Sequence, residues 1–325
     1  MPFAIRVQRP GGPEELSWEE VEVGDPGPGQ VRLRQTAVGL NFIDVYHRSG
    51  LYPQPTPFIP GVEAAGIVEE LGSGVDSLKP GDRVAYAGPI GAYAEARLID
   101  ADRLVKLPTE VSDEQAAAAL LQGMTVHMLV RQVHAVQPGD TILIHAAAGG
   151  VGLILCQWAS ALGATVIGTV STDEKAELAR AHGCAHPIVT ARQDFVAEVA
   201  RITSGAKLPV VYDSVGRDTF MGSLDCLRPR GLMVSFGNAS GPVEPISPLL
   251  LSQKGALFLT RPSLFHYVAT RAELETAAGE LFDMMLSGKV KVEVQQRFEL
   301  KQAADAHRAL EARQTTGSTV LTIGS

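Results

Sequence analysis

Residues 141–170 read TILIHAAAGGVGLILCQWASALGATVIGTV. The stretch opens with an apolar, β-branched run at 141–145, passes through a turn rich in alanine and glycine, and predicts a helix over 150–162. A second apolar, β-branched run follows at 165–170. A strand, a tight glycine turn, a helix and another strand in this order predict a βαβ unit with parallel strands.

The same alternation continues downstream of this unit. Further strands are predicted at 188–189, 210–212, 231–236 and 256–259, and helices at 174–181 and near 194–203 and 218–227. Alternating strands and helices with short connections imply a parallel sheet that carries helices on both faces. This half of the chain is therefore predicted to be a doubly wound α/β domain.

The glycine turn at 146–152 has the chemistry of a phosphate-binding loop. A pyrophosphate needs backbone N–H groups at a helix N-terminus and no side chain in its way. Gly149 allows that approach, and Gly152 lets the helix pack closely on the strand. The G-x-G-x-x-G fingerprint is incomplete, because Ala147 occupies its first position. Similar turns occur in α/β proteins without a nucleotide, but the flanking strand and helix favour dinucleotide binding.

The end of the second strand bears on the choice between NAD and NADP. An NAD site generally places an acid there for the ribose 2′-hydroxyl, whereas this strand ends at Ser171 without one. Ser171 can hydrogen-bond a 2′-phosphate, and Lys175, one helical turn later, can supply positive charge. Asp173 and Glu174 argue for NAD unless they are partners of the helix dipole, and Lys175 has the alternative of a solvated helix face. The pattern favours NADP.

The segments on either side of this domain are organised differently. Short apolar runs between Gly/Pro turns in the first 110 residues predict a compact β-rich domain. Ser112 with Gln115, and Thr270 with Glu273, form capping boxes that start helices. A strand at 289–294, a helix at 302–313 and a last strand at 318–323 have no place in the alternating sheet. We therefore predict one domain from 1–122 with 265–325, and a second domain at 123–264.

Composition excludes several classes of protein. Of 325 residues, 45% are hydrophobic and 20% charged, which indicates folded cores and excludes global disorder. The net charge, 28 − 36 = −8, argues against nucleic-acid binding through a basic surface. No apolar stretch reaches the length of a membrane span, and residues 1–7 read as an alternating strand instead of a signal peptide. The cysteines Cys156, Cys184 and Cys226 provide no disulfide framework, so a cytoplasmic location is expected.

Motifs spread along the whole chain carry a family resemblance. They are GLNFIDVY at 39–46, GDTIL at 139–143, AAGGVG at 147–152, VYDSVG at 211–216, VSFGN at 234–238 and TRPS at 260–263. In them the chain resembles the zinc-independent medium-chain dehydrogenases/reductases, and among these the bacterial NADPH-dependent quinone oxidoreductases and ζ-crystallins. The resemblance implies an α/β protein in which a GroES-like β-rich catalytic domain, built from both chain ends, encloses a Rossmann doubly wound parallel-sheet domain. It also implies that NADPH reduces a small-molecule quinone substrate without a metal.

The resemblance further implies roles for individual residues. Asn41, Tyr46 and Tyr52 would line the nicotinamide and substrate cleft as the catalytic residues. The other implied cofactor contacts are Thr125 near the nicotinamide ribose, Gly149, Gly150 and Val151 at the pyrophosphate, Ser171 and Lys175 at the adenosine phosphate, Phe236, Gly237, Asn238, Arg261 and Ser263 in the far wall, Arg313 in the tail, and Ser214. Many relatives have a tyrosine beside the adenosine phosphate where this chain has Thr190, a loss for which Arg192 is expected to compensate.

Zinc chemistry is not expected from this sequence. Zinc-dependent relatives need an early cysteine and a histidine in a Gly-His-Glu element, whereas this chain has Asn41 early on and Val62 where the histidine would stand. A quinone needs no strong acid, since the reduced oxygen is phenolic, with a pKa of about 10, and water can protonate it. We expect Asn41 to orient the acceptor oxygen and Tyr46 or Tyr52 to donate a hydrogen bond to it.

Two other functions stay open from the sequence. One is reduction of the C=C bond of enones or enoyl thioesters on the same scaffold, which needs a definite proton donor. The other is an NADPH-binding structural or RNA-binding protein, against which the charge of −8 counts. The physiological quinone is not determined. A homodimer is expected, in which the strand at 256–259 pairs with its symmetry mate.

Overall fold

The computed structural model describes residues 1–324 and divides into two compact units. The first comprises residues 1–122, 268–282 and the described residues from 292 onward, and the second comprises 123–267 and 283–291. Each unit is built on its own large sheet.

Strands and helices alternate through much of the described chain. The strands are β1 (Phe3–Val7), β2 (Leu16–Glu20), β3 (Gln30–Leu40), β4 (Glu63–Leu71), β5 (Arg83–Ala87), β6 (Ala96–Asp100), β7 (Val105–Lys106), β8 (Thr141–Ile144), β9 (Thr165–Val170), β10 (His186–Val189), β11 (Leu208–Asp213), β12 (Leu227–Ser235), β13 (Phe258–Thr260), β14 (Val294–Glu299) and β15 (Ser318–Thr322). The α-helices are α1 (Phe42–Ser49), α2 (Asp113–His127), α3 (Gly150–Ala161), α4 (Asp173–Ala181), α5 (Phe195–Ile202), α6 (Phe220–Cys226), α7 (Leu249–Gln253), α8 (Leu264–Tyr267), α9 (Arg271–Leu286) and α10 (Ala303–Glu311). No helix in the described part of the chain has both the length and the apolar content that a bilayer crossing requires.

The second unit is built on a six-stranded sheet in the order β10-β9-β8-β11-β12-β13. Every neighbouring pair in it is parallel. Counted along the chain this is the order 3-2-1-4-5-6 of a Rossmann fold, in which the strand order reverses between the first and fourth strands. The predicted doubly wound parallel sheet is confirmed, and its switch point lies between β8 and β11.

The central strands of this sheet are buried on both faces. Val211 of β11 stands in register with Leu143 of β8 on one side and Met233 of β12 on the other, and all three are fully buried. Helix α6 covers this row with Phe220 and Leu224. Continuous apolar runs, as opposed to alternating ones, are what a sheet covered on both faces requires. This explains why short β-branched segments predict the strands of the second unit.

The first unit is built on a seven-stranded sheet in which β14-β15-β3-β4-β5-β7 follow one another and β6 pairs with β3. Its neighbours are antiparallel apart from the parallel pair β14 and β15. The C-terminal strand β15 pairs with β3, so that Leu321 lies opposite Val38. Strand β3 ends at Leu40 and α1 starts at Phe42. Asn41 is therefore held at the junction between a central strand and a helix.

Both predicted capping boxes are confirmed. Gln115 N donates to Ser112 Oγ (3.2 Å), and Ser112 N donates to Gln115 Oε1 (3.1 Å), immediately before α2. Before α9, Thr270 N donates to Glu273 Oε2 (2.9 Å), and Glu273 N donates to Thr270 Oγ1 (3.3 Å). Two otherwise unpaired N–H groups are thereby satisfied at each helix start.

The strand predicted at 289–294 is wrong. The strand in this region is β14, which starts at Val294 and runs to Glu299. Val290 and Val292 are buried as their alternation indicates, but their segment satisfies its backbone differently, since Val290 N donates to Met284 O and Lys291 N donates to Gln157 Oε1. The ladder starts at Val294 because its partner β15 starts there, at Ser318. Pairing, and not apolar alternation, decides where this strand lies.

Candidate functional site

The turn after β8 places two glycines, Gly149 and Gly150, at the N-terminus of α3. Ala146 adopts a left-handed conformation (φ 53°), and Gly149 caps α3 in an extended conformation without a side-chain hydrogen bond. A Cβ atom at Gly152 would lie 2.2 Å from Ala146 O, so only glycine fits there. The first N–H groups of a helix have no acceptor within it. Those of Gly150 and Val151 are thus placed to receive an anion.

The departure from the glycine fingerprint at Ala147 has a structural explanation. Ala147 is fully buried, and its methyl group lies against Gly168 of β9, where an added Cβ would be 2.6 Å from it. Ala147 N also donates to Thr169 O (3.0 Å). The missing glycine in the turn is compensated by a glycine in the neighbouring strand, so the turn keeps its close packing.

The end of β9 gathers the residues predicted for the adenosine phosphate. Ser171 follows the strand and is exposed, and Lys175 is half-buried in the first turn of α4, where its N–H donates to Thr172 Oγ1 (3.3 Å). Thr190 is joined to the same strand end, since its hydroxyl donates to Val170 O (3.1 Å). Ser171, Lys175 and Thr190 are thus carried by adjoining segments of the second unit.

The acids beside this group differ from the sequence interpretation in one respect. Asp173 forms a bidentate ion pair with Arg192, with both N–O distances 2.7 Å. Hydrogen bonding to this guanidinium lowers the pKa of the exposed Asp173 carboxyl. The sequence alone suggests the helix dipole as its partner, whereas the structure pairs it with an arginine 19 residues away. Arg192 therefore offsets the negative charge that argued for NAD.

A buried polar network joins the carboxyl ends of three strands at the switch point. His145 contacts Thr169 Oγ1 through Nδ1 (2.8 Å) and Ser223 Oγ through Nε2 (2.9 Å). Ser223 Oγ contacts Asp213 Oδ2 (2.9 Å), and Asp213 Oδ1 accepts the Gly216 N–H (3.0 Å). Burial lowers the pKa of His145, although the Asp213 charge opposes this. The network holds in register the strand ends that carry the glycine turn, Ser171 and Ser214.

The segments after β11 and β12 bring several predicted cofactor residues together. A Cβ atom at Gly237 would lie 2.3 Å from Ser214 O, so the two loops touch through a glycine. Phe236 N donates to Asp213 O (2.8 Å), which ties the loop to the end of β11. Arg261 Nη1 donates to Ser235 O (2.9 Å) and Gly237 O (3.0 Å).

The remaining predicted cofactor residues lie in other elements. Asn238 follows Gly237 in the same loop and is half-buried, as are Thr125 in α2 and Ser263 just before α8. Arg313 belongs to the first unit, where it follows α10 in a left-handed conformation (φ 59°) and is exposed. The structure thus groups the Gly149, Ser171 and Gly237 segments at one edge of one sheet and places Arg313 in the other unit.

The predicted catalytic residues of the first unit lie on or beside α1. Tyr46 is 8% exposed, and its ring centroid is 5.1 Å from that of Tyr52 in an edge-on arrangement. Tyr52 N donates to Tyr46 O (3.0 Å), so the loop after the helix folds back over it. Asn41 stands one residue before the helix and is 8% exposed. Tyr46 and Tyr52 therefore pack together, and Asn41 lies at the start of the helix that carries Tyr46.

The Asn41 amide is held at both of its polar atoms. Nδ2 donates to Glu63 Oε2 (2.7 Å), and Oδ1 accepts from Gln122 Nε2 (3.2 Å). Glu63 is fully buried, and its other oxygen accepts the Leu121 N–H (2.6 Å). Burial, which dominates over these hydrogen bonds, raises the pKa of Glu63 to about 8.

A second buried chain of hydrogen bonds anchors α1. Arg48 Nη1 lies 3.1 Å from His307 Nδ1, and His307 Nε2 lies 2.9 Å from Tyr93 Oη, which lies 3.1 Å from Asp44 Oδ2. Since arginine only donates, His307 Nδ1 accepts and Nε2 carries the proton, so that Tyr93 donates to Asp44. At the other end of the chain Arg48 donates to the Glu311 carboxylate, from Nη2 to Oε1 (2.8 Å) and from Nη1 to Oε2 (2.9 Å). Burial lowers the pKa of His307 to about 3 and raises that of Asp44 to about 7.

Comparison with known proteins decides the family. The protein-family model "Alcohol dehydrogenase GroES-like domain" matches residues 27–109, and the family model "Zinc-binding dehydrogenase" matches residues 150–282. The quinone oxidoreductase of Pseudomonas aeruginosa is 54% identical over 96% of each chain, and the 2-haloacrylate reductase of a Burkholderia species is 49% identical over 99% of each. The crystal structure of Escherichia coli quinone oxidoreductase complexed with NADPH has a TM-score of 0.97 at 50% identity, covering 98% of this chain and 99% of that one. The chain belongs to the quinone oxidoreductase family of medium-chain dehydrogenases/reductases.

Membership of the family confirms the resemblance carried by the sequence motifs, and with it the fold class. The first unit is the GroES-like β-rich part, and the parallel sheet of the second is the Rossmann part. Within residues 1–324, no group of three or more histidine, cysteine, aspartate or glutamate side chains is arranged to hold a metal ion.

Sequence reasoning missed the polar residues that support this site. Glu63, Gln122 and His145 each make hydrogen bonds to site segments far away along the chain, at separations from 22 to 81 residues. One signal was available: Glu63 and His145 are ionisable residues that directly adjoin apolar strand runs. A buried ionisable residue at the end of such a run needs partners, which marks it as part of a network.

Proposed function

We propose that the protein is an NADPH:quinone oxidoreductase, which passes reducing equivalents from the nicotinamide to a small-molecule quinone without a metal. The observation that carries this proposal is the 54% identity to a quinone oxidoreductase over 96% of both chains. The glycine turn after β8, and the end of β9 at Ser171 without an acid, support the cofactor part of the proposal.

We propose residues 123–264 as the NADP-binding domain, and residues 1–122 with 265–325 as the catalytic domain. The parallel sheet and the glycine turn fall within the first range, and Asn41, Tyr46 and Tyr52 fall within the second. Each domain then contributes one half of the chemistry: one holds the cofactor and the other presents groups to the acceptor.

The residues of the parallel-sheet unit fit a dinucleotide. Gly149 adds no side chain at the N-terminus of α3, and Gly152 occupies a place where a Cβ would collide with Ala146 O at 2.2 Å. The N–H groups of Gly150 and Val151 would hold the pyrophosphate. The further contacts in the proposal are Asn41, Tyr46, Thr125, Thr190, Ser214, Phe236, Gly237, Asn238, Arg261, Ser263 and Arg313.

The preference for NADPH in this proposal follows from charge at the end of β9. Ser171 and Lys175 would hold the 2′-phosphate, since an ammonium and a hydroxyl give charge-assisted hydrogen bonds to its oxygens. Asp173 would repel that phosphate, but its bidentate pair with Arg192 at 2.7 Å offsets the charge. Thr190 is bonded to the same strand end and takes the place of the tyrosine of many relatives.

Bound NADPH would supply the reducing equivalents for the reaction, and the chain's own residues would orient the acceptor. The Asn41 amide, held by Glu63 and Gln122, would hydrogen-bond the acceptor oxygen. Tyr46 or Tyr52 would donate a second hydrogen bond and form an aromatic wall for a flat ring. Because the reduced oxygen is phenolic, with a pKa of about 10, water suffices as the proton source. Catalysis would come mainly from orientation.

A second candidate is reduction of a C=C bond conjugated to a carbonyl group. It is favoured by one observation, the 49% identity to a protein named 2-haloacrylate reductase. That reaction needs a definite proton donor at carbon, and Tyr46 and Tyr52 are the nearest phenols to Asn41 along the chain. A strict requirement for one of these tyrosines would favour the C=C reductase, whereas quinone reduction should survive the loss of either.

We also propose a homodimer joined through β13. This strand is the last in the order of the parallel sheet, and Phe258 and Leu259 on it are 61% and 39% exposed. An apolar edge strand pairs readily with its symmetry mate. We propose the cytoplasm as its location, since the three cysteines are unpaired and buried and such thiols suit a reducing compartment.

A substrate panel tests the proposed function. The purified protein is given NADPH or NADH together with a benzoquinone, a naphthoquinone, an enone, a 2-haloacrylate or an alcohol, and nucleotide oxidation is followed by absorbance. We expect turnover with NADPH and quinones. Rapid turnover of the enone or haloacrylate with none of the quinones would instead support the C=C reductase.

A further inference from the structure

The Asn41 side chain is the middle member of a directional chain of hydrogen bonds in the first unit. Leu121 N donates to Glu63 Oε1 (2.6 Å), and Asn41 Nδ2 donates to Glu63 Oε2 (2.7 Å). On the other side Gln122 Nε2 donates to Asn41 Oδ1 (3.2 Å), and the Ser318 hydroxyl shares its one hydrogen between Gln122 Oε1 (2.8 Å) and Ala118 O (2.9 Å). The amide donors of Gln122 and Asn41 both point toward Glu63.

The direction of the chain is set at the Glu63 end. An amide can present either its oxygen or its nitrogen to a neighbour, and a hydroxyl can donate or accept, so Gln122 and Ser318 fit either direction. Glu63 does not while its carboxyl is ionised, because both oxygens then only accept, and they accept N–H bonds from Asn41 and Leu121 in the core. The carboxyl therefore requires Asn41 to face it with Nδ2, and the rest of the chain follows.

This orientation leaves one hydrogen on Asn41 Nδ2 for another acceptor. An amide nitrogen carries two hydrogens, and Glu63 takes one of them. Among residues 1–324 the second has no hydrogen-bond acceptor, and Asn41 keeps 8% of its surface exposed. The uncommitted group is therefore an N–H donor and not a carbonyl oxygen.

We propose that Glu63 is a positioning residue: it fixes the Asn41 amide so that an N–H, and not a carbonyl oxygen, faces the acceptor oxygen of the substrate. The inference rests on the proposed function, in which Asn41 hydrogen-bonds that oxygen. Quinone and enone oxygens are acceptors without hydrogens, so the inverted amide would repel them. Glu63 thus acts on the substrate only through Asn41.

The substitution Glu63→Gln inverts the chain at nearly constant volume. The Leu121 N–H still requires an oxygen, so the amide nitrogen of the introduced glutamine would face Asn41 and demand its Oδ1. Asn41 then turns its nitrogen to Gln122, whose amide turns in response, and Ser318 accepts in place of donating. The hydrogen bonds between these side chains are retained. Asn41 now offers the substrate a carbonyl oxygen in place of an N–H donor.

The matched control is Glu69→Gln, which makes the same exchange of a carboxyl for an amide in the same strand. Glu69 lies in β4 with its side chain 38% exposed, in ion pairs with Arg32 and Arg34. Each variant is measured for the thermal midpoint, for NADPH affinity by fluorescence titration, and for kcat/KM with a benzoquinone. We expect Glu63→Gln to lower kcat/KM about tenfold or more, as befits one hydrogen bond replaced by a repulsive contact. Its NADPH affinity should stay within about twofold of wild type, and Glu69→Gln should match wild type throughout.

The double variant Asn41→Asp/Glu63→Gln separates orientation from stability. The carboxylate that it introduces at position 41 accepts N–H bonds from the glutamine at position 63 and from Gln122, so the thermal midpoint should stay near that of wild type. That carboxylate offers no N–H to the substrate, so kcat/KM should stay low. Full activity of Glu63→Gln, or recovered activity in the double variant, would overturn the positioning role. If wild-type protein reduces none of the carbonyl acceptors with NADPH, the proposed function itself fails and the role of Glu63 with it.

Discussion

Lys175→Ala should weaken NADPH binding without affecting NADH. Lys175 lies in the first turn of α4, where its backbone N–H bonds Thr172 Oγ1 at 3.3 Å. Alanine keeps that bond and is a strong helix former, so the helix should stay intact. A charge-assisted hydrogen bond to the 2′-phosphate contributes roughly 1.5–3 kcal/mol, which corresponds to about 10- to 150-fold in affinity. Because the neighbouring Ser171 and Arg192 are exposed to solvent that screens charge, we expect the lower end, about tenfold.

The assay compares KM and the dissociation constant for both cofactors at two salt concentrations. Turnover at saturating NADPH should hold, since the lost contact is the same in the ground state and the transition state. Arg180→Ala, which removes one positive charge from the other end of α4, serves as the control. Arg192→Ala provides a second arm, because it exposes the Asp173 charge and should move the preference toward NADH. Equal use of NADH by wild type, or an equal loss for both cofactors in Lys175→Ala, would refute the phosphate site.

Three further predictions follow from packing and burial. Gly152→Ala should abolish NADPH binding in a fluorescence titration, since its Cβ would lie 2.2 Å from Ala146 O, and binding within about twofold of wild type would contradict the packing argument. Phe258→Lys, on the exposed end strand, should convert the proposed dimer to a monomer in light scattering at micromolar protein, and a wild-type mass equal to one chain would exclude that dimer. The free energy of unfolding should fall as the pH rises from about 7 to about 8, because burial raises the pKa of Glu63 to about 8 and that of Asp44 to about 7, so both carboxyls hold protons there that the unfolded chain has lost. At lower pH the buried His145 and His307, whose pKa values are lowered, oppose this trend because only the unfolded chain protonates them. Chemical denaturation across this range checks it, and Glu63→Gln should flatten the slope.

Much of the fold could be predicted because it depends on local patterns. The β-branched runs around the glycine turn, and the capping boxes at Ser112 and Thr270, involve residues within a few positions of one another. Their conformations follow from propensity and from hydrogen bonds three residues apart. The alternation of strand and helix then leaves few topologies, because parallel crossovers are right-handed and short.

Strand β14 is a case in which the local side-chain pattern does not predict where a strand lies. Residues 289–294 carry the apolar alternation of a strand, yet the ladder runs from Val294 to Glu299, a segment rich in polar residues. Its partner β15 supplies the hydrogen bonds there. Backbone pairing between distant segments outweighs side-chain pattern when the strand lies at the end of a sheet.

By itself the sequence determined the fold class, the glycine turn and the residue types offered to a cofactor and a quinone. Only the tertiary structure decided how those residues are held. Glu63 meets Asn41 across 22 positions, and Tyr93 meets His307 across 214. No sequence pattern identifies the partner of a polar residue. The pKa of a buried carboxyl and the direction of its hydrogen bonds depend on the groups that the fold places around it.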